Sequence, residues 1–237
     1  FFTGPGTRTH DVYRDQWGHM DYIKYIADYY ALPPVNTCQA YHPPVHHIIC
    51  AIVLDIARGI FKSEFLQLKL IQVLMAILNS LTLVLFYKII KRLDLGASVT
   101  LTGVSIFAFH PTNIYFTSKL NNDNTMMFFY VLTFYYLIKW LQGKNVKDVV
   151  FLALSTSLAI LTKKSAIMLL IPIAAAFLVE FVKHISSYKL YVKQFTAFSL
   201  IAIPLSVTHQ LRNYILFHQD FGYVPSMGRG FDPTIYN

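Results

Sequence analysis

Six largely apolar stretches, joined by short cation-bearing junctions, constrain this chain more than any other feature. They run over about 69–90, 98–117, 125–142, 148–162, 165–182 and 194–210. Several approach the roughly 20 residues that a helix needs to cross a hydrocarbon core. A soluble domain carries about a quarter charged residues. The 237 residues here are 14% charged and 55% hydrophobic, with a mean hydropathy of +0.45. The pattern predicts an all-α polytopic membrane protein. Pro172 and Pro204 are expected to kink the fifth and sixth stretches, which membrane helices tolerate because their neighbours satisfy the freed carbonyls. Two cysteines, Cys38 and Cys50, are too few for a disulfide framework.

The net charge of +8 raises nucleic acid as a partner, but lysine placement accounts for it without one. One set of junctions holds Lys88, Lys91, Arg92, Lys139, Lys144, Lys147, Lys183, Lys189 and Lys193. The alternate set holds Lys119, Lys163, Lys164 and Arg212. Nine cations against four put the first set in the cytoplasm by the positive-inside rule. The amino-terminal loop, Asp123, Lys163 and Lys164 are then expected outside.

Residues 1–62 read as an extracytoplasmic first loop. It holds a helix through "WGHMDYIKYIADYYA", stopped by Pro33 and Pro34, and a second helix over 45–61. Asp55 and Arg58 interrupt the second, so it is expected to lie along the interface rather than cross. Residues 63–212 form the transmembrane bundle and 213–237 an outer loop. The polar character of both ends leads us to expect a piece of a longer protein, with an earlier transmembrane helix and a later portion.

The outward face gathers the polar residues. "RTHDVYRDQWGHMDY" supplies Arg8, His10, Asp11, Asp15, His19 and Asp21; "KLNNDN" supplies Asn122 and Asp123; "LTKKSA" supplies Lys163 and Lys164; "HQLRNY" supplies Arg212. Two readings stand for each. Lysines and arginines at helix ends serve as interfacial anchors, and Asp123 suits a helix cap. Their convergence with carboxylates on one face instead suits an anionic, lipid-linked substrate, with cations on its phosphate and a carboxylate as base.

"RTHDVYRDQWGHMDYIKYIADYYALPP" and "YHPPVHHIICAI" resemble the first extracytoplasmic loop of GT-C superfamily glycosyltransferases. The closer likeness is to the bacterial family 39 type, related to protein O-mannosyltransferases and lipid A aminoarabinose transferases. It continues through "FHPTNIYFTSKLNNDNTMMFFYVLTFYYLIKW", "LALSTSLAILTKKSAIMLLIPI" and "LRNYILF". The resemblance implies Asp11 as catalytic base, at the right spacing from the Pro43–Pro44 pair. Val12 follows where relatives often have a second acid, and His42 precedes the prolines where some relatives place a phosphate-contacting lysine. Asp123 matches a second acidic position and Lys163 the lysine of an "LTK" motif. Arg8, His10, His42, Asn122, Asp123, Lys163, Lys164 and Arg212 are the expected substrate-binding set.

The implied reaction is inverting transfer of a sugar from a polyprenyl-phosphate donor to an extracytoplasmic acceptor, a cell-envelope glycan, lipid or protein. Its implied place is the bacterial plasma membrane, with membrane lipid as surroundings. No cofactor is expected; the alternative is a divalent ion on His42, His46 and His47 with Asp11. A transporter or flippase of a lipid-linked sugar is the competing function, although such proteins favour polar groups at the midplane. A non-catalytic scaffold would leave the convergence unexplained. The orientation is directly testable. With Cys38 and Cys50 replaced, a cysteine at position 119 should react with an impermeant maleimide on intact cells, and one at position 94 only after permeabilisation.

Overall fold

The computed structural model describes residues 18–35, 40–117 and 119–221. Helix α1 (His19–Tyr29) starts at Gly18, whose N–H donates to the Asp21 carboxylate at 3.3 Å. It ends where Tyr30 turns left-handed (φ 49°), just ahead of Pro33 and Pro34. Helix α2 (Val45–Ile60) follows Pro43 and Pro44 and buries His46, His47, Cys50, Ala51, Leu54 and Ala57 along one face. Its other face exposes Ile48, Ile52, Ile56 and Ile60, spaced four apart. An apolar core joins α1 and α2 to Ile71 and Met75 of α3 (Glu64–Arg92) and to Leu120. The expected loop helices are present.

Helix α3 has 29 residues, about 44 Å at 1.5 Å per residue. A turn through Asp94 and Gly96, both with positive φ, leads into α4 (Ala97–Phe109). The stretch expected as one span over 98–117 is two helices, because α4 stops at His110 and α5 (Pro111–Thr117) begins anew. Pro111 forces this: it lacks an N–H and pushes His110 out of the helical region, to φ −60°, ψ 125°. The Asn113 side chain donates to the Phe107 carbonyl at 2.6 Å and satisfies part of the broken ladder.

Helices α6 (Asn122–Gly143) and α7 (Val146–Ile160) supply most of the main core, around Trp140, Val149, Leu152 and Ala153. A 3₁₀ segment (Lys164–Leu169) then leads into α8 (Leu170–Lys183), and Pro172 falls in its first turn, where no N–H is needed. Helix α9 (Tyr188–Phe217) runs on through Pro204 and past residue 212. Among the described residues, three helical stretches are long and apolar enough to cross a membrane: Glu64–Arg92, Lys164–Lys183 and Ile185–Phe217. α7 is shorter, and its Ser155, Thr156 and Ser157 hydroxyls bond to carbonyls one turn back.

The junctions sort to two ends. At the nine-cation end, Lys144 pairs with Glu180 at 2.5 Å, Lys139 with Asp148 at 2.8 Å, and Arg92 donates to Gln142 at 2.9 Å. Gln194, fully buried, accepts from the Trp140 indole at 2.9 Å and donates to the Lys144 carbonyl at 2.6 Å. Gln194→Leu would strand both partners, a loss of about 1–3 kcal/mol. A lowered unfolding temperature in detergent, with Gln194→Asn intermediate, is the expected result.

Candidate functional site

The opposite end is built around an ion pair. Asp123 lies in the first turn of α6, where its N–H donates to the Asn121 side chain at 3.0 Å. After α7 ends, the chain extends at Lys163 (φ −153°, ψ 128°) and carries its ammonium to 2.5 Å from the Asp123 carboxylate. The two side chains are 29% and 27% exposed, so the pair is partly accessible rather than sealed in the core.

The Val45 N–H donates to the Leu161 carbonyl at 3.0 Å, which pins the start of α2 beside the same turn. Pro43 and Pro44 stiffen the approach. His42 therefore sits against Tyr41 and His19, with ring centroids 4.2 and 5.5 Å away. Burial first, then His19 and the charges of Lys163 and Lys164, hold its imidazole down at about 3. His42 thus offers a neutral ring at neutral pH where a lysine would offer a charge.

Behind it lies a histidine nest that charge pattern alone did not reveal. His19 Nδ1 and His47 Nε2 share a hydrogen bond at 2.9 Å, and Tyr22 stacks on His47 at 3.9 Å. His46 Nδ1 meets the Thr125 hydroxyl at 2.8 Å, which ties α2 to α6. His46 and His47 are completely buried, and burial together with the neighbouring rings pushes both well below the ordinary imidazole range.

Arg212 comes to this end but faces the connection between α1 and α2. Its Nη2 donates to the Leu32 and Pro33 carbonyls at 3.0 and 3.1 Å, and its Nη1 to the Asn213 side chain at 3.0 Å. Lys164 lies within electrostatic reach of His42 and of His209, a buried residue on α9 that the sequence pattern did not single out. A signal existed: His209, Arg212 and Asn213 are spaced to share one face of an otherwise apolar helix. Asn122 is buried, with no partner for its Nδ2 among the described residues. Arg8, His10 and Asp11 lie outside the described residues.

Among the described residues, no three His, Cys, Asp or Glu side chains are grouped to hold a metal ion. Of the set weighed for one, His46 is engaged by Thr125 and His47 by His19, while Asp11 is outside the described residues.

The family described as dolichyl-phosphate-mannose-protein mannosyltransferase matches residues 41–207. The chain belongs to that family. It is accordingly a membrane glycosyltransferase of the GT-C type, as the resemblance implied. The matched span includes His42, Asn122, Asp123, Lys163 and Lys164; Arg212 lies just beyond it. No curated protein and no solved structure matches the chain.

His42, His46 and His47 each bind a proton less readily folded than unfolded. Stability is therefore unaffected by them above the ordinary value of 6.5, and falls as pH drops below it. For His42 the loss is complete only near 3. Unfolding temperatures measured between about pH 7 and 5, before most carboxylates titrate, should decline, and His42→Asn should make the decline shallower.

Proposed function

We propose that this glycosyltransferase moves a sugar from a polyprenyl-phosphate donor to an acceptor on the extracytoplasmic side of the membrane. The observation that carries the reading is the Lys163–Asp123 pair, beside His42 and Lys164, where two helix ends meet the re-entering loop. A lipid-linked donor carries a phosphate that must be held at the membrane surface, and fixed cations at helix ends meet that need.

The chemistry requires little else. The acceptor's oxygen attacks the anomeric carbon while its proton passes to a carboxylate, and the bond from that carbon to the phosphate oxygen breaks. The polyprenyl phosphate departs with the bonding electrons. Because it is an anion stable in water, no strong acid is required to protonate it. Attack on the face opposite the leaving group inverts the anomeric centre, through an oxocarbenium-like transition state.

In this scheme Asp11 is the base, and Lys163 and Lys164 balance the charge developing on the phosphate. His42 donates a hydrogen bond as a neutral ring, and Asp123 orients Lys163. Arg8, His10 and Asn122 are candidates for binding the sugar or phosphate. The outward orientation is inferred from the junctions between spans, where nine cations lie at the far end against four at this one.

The test is incubation of membranes carrying the protein with labelled polyprenyl-phosphate sugars. Label should move from lipid to acceptor with inversion. Asp11→Asn should lower kcat by about 10²- to 10⁴-fold, the usual worth of a general base, while leaving detergent-extracted protein folded. Lys163→Met should lower kcat as well, and Asp123→Asn should do so less. Full activity in folded Asp11→Asn would overturn the assignment of the base.

A further inference from the structure

The charge pattern treats Arg212 as one more cation for an anionic substrate, yet its guanidinium is turned elsewhere. Nη2 donates to two consecutive carbonyls, Leu32 at 3.0 Å and Pro33 at 3.1 Å, across 180 and 179 residues of chain. Nη1 donates to the Asn213 side chain at 3.0 Å. Asn213 is itself fixed: it is 2% exposed, its amide donates to Gln219 at 3.2 Å, and its carbonyl accepts the Gln219 N–H at 3.3 Å. The fork of Arg212 is therefore set before it reaches the loop.

One turn earlier on α9, His209 is 3% exposed, with its Nε2 at 3.5 Å from the Asn213 amide. The backbone of Ala40 lies beside the His209 ring. Thus α9 grips the connection between α1 and α2 at Leu32–Pro33. Further on, the Val45 N–H is held by the Leu161 carbonyl. Between these two fastenings lies His42, within electrostatic reach of Lys163 and Lys164.

We propose that Arg212 is a positioning residue: it fastens the connection between α1 and α2 to α9 and so sets His42 at the turn that carries Lys163 and Lys164. A connection that lacks helical hydrogen bonds over residues 31–35 needs side-chain donors for its carbonyls. Arginine suits the task because its planar fork reaches two acceptors at once, which a lysine ammonium on a flexible stem does not reproduce. The role in catalysis rests on the transferase reading above, whereas the fastening itself does not. It also separates two cation types at this end: Lys163 and Lys164 beside the substrate, Arg212 on the chain that shapes the site.

The experiment compares Arg212→Lys with a tethered variant in the full chain, with Cys38 and Cys50 replaced by alanine. In the tethered variant, Leu32→Cys and Arg212→Cys are joined by a short thiol-to-thiol cross-linker. Arg212→Lys keeps the charge and should still lose about 10- to 100-fold in kcat, the cost of a small misplacement, with the donor KM changed less than about twofold. The cross-linker should restore most of the activity of the double-cysteine protein. Hydrogen exchange over residues 31–45 should rise in Arg212→Lys and fall again in the tethered protein.

Retained activity in Arg212→Lys, or a loss confined to donor KM, would assign Arg212 to the phosphate and overturn the proposal. So would a tether that forms without restoring activity. If the parent protein transfers no sugar, the transferase reading fails, and hydrogen exchange alone then judges the fastening. Unchanged exchange over 31–45 in Arg212→Lys would sink it.

Discussion

Hydrocarbon offers a polypeptide no hydrogen-bond partner, so every N–H and C=O at membrane depth must be satisfied within the protein. The helices of this chain answer that constraint, and their breaks are expelled to two ends. Serine and threonine hydroxyls inside α7 bond back to carbonyls of their own helix. At one end the breaks are closed by three long-range fastenings: Val45 to Leu161, Lys163 to Asp123, and Arg212 to Leu32 and Pro33. Each satisfies a group that a helix terminus or turn would leave exposed. The candidate site is what results from closing those breaks with charged and polar side chains.

Two kinds of nitrogen meet there, and their surroundings separate them. Lys163 is partly exposed and faces the Asp123 carboxylate. His42, His46 and His47 lie among other imidazoles, and burial holds them neutral. A cation can balance a phosphate; a neutral ring can only donate or accept a hydrogen bond. The prolines before α2 bring both kinds to the same turn.

Much of the architecture was legible because it follows from period and composition. The apolar stretches became helices, and the helix expected after Pro44 is present as α2. The break at His110 was also legible in principle, since Pro111 disfavours helix at the preceding residue; the run of apolar residues around it obscured the signal. Asp123 was expected to position substrate or pair with a cation, and only the fold picks Lys163 as that cation. The closeness of His42, His46 and His47 was legible, but not that His19 joins them, because α1 must pack on α2 to bring it there.

The amino-acid order by itself determined a helical membrane protein and the cation-bearing junctions between its apolar stretches. These depend on hydropathy and lysine placement, which are local properties. Only the tertiary structure decided what each charged group faces. Arg212 and Lys163 look alike in sequence, as cations at the ends of apolar stretches. In the fold one meets backbone carbonyls and the other a carboxylate, because α9 ends beside the loop and α7 ends beside α6. The partner, not the charge, separates their roles.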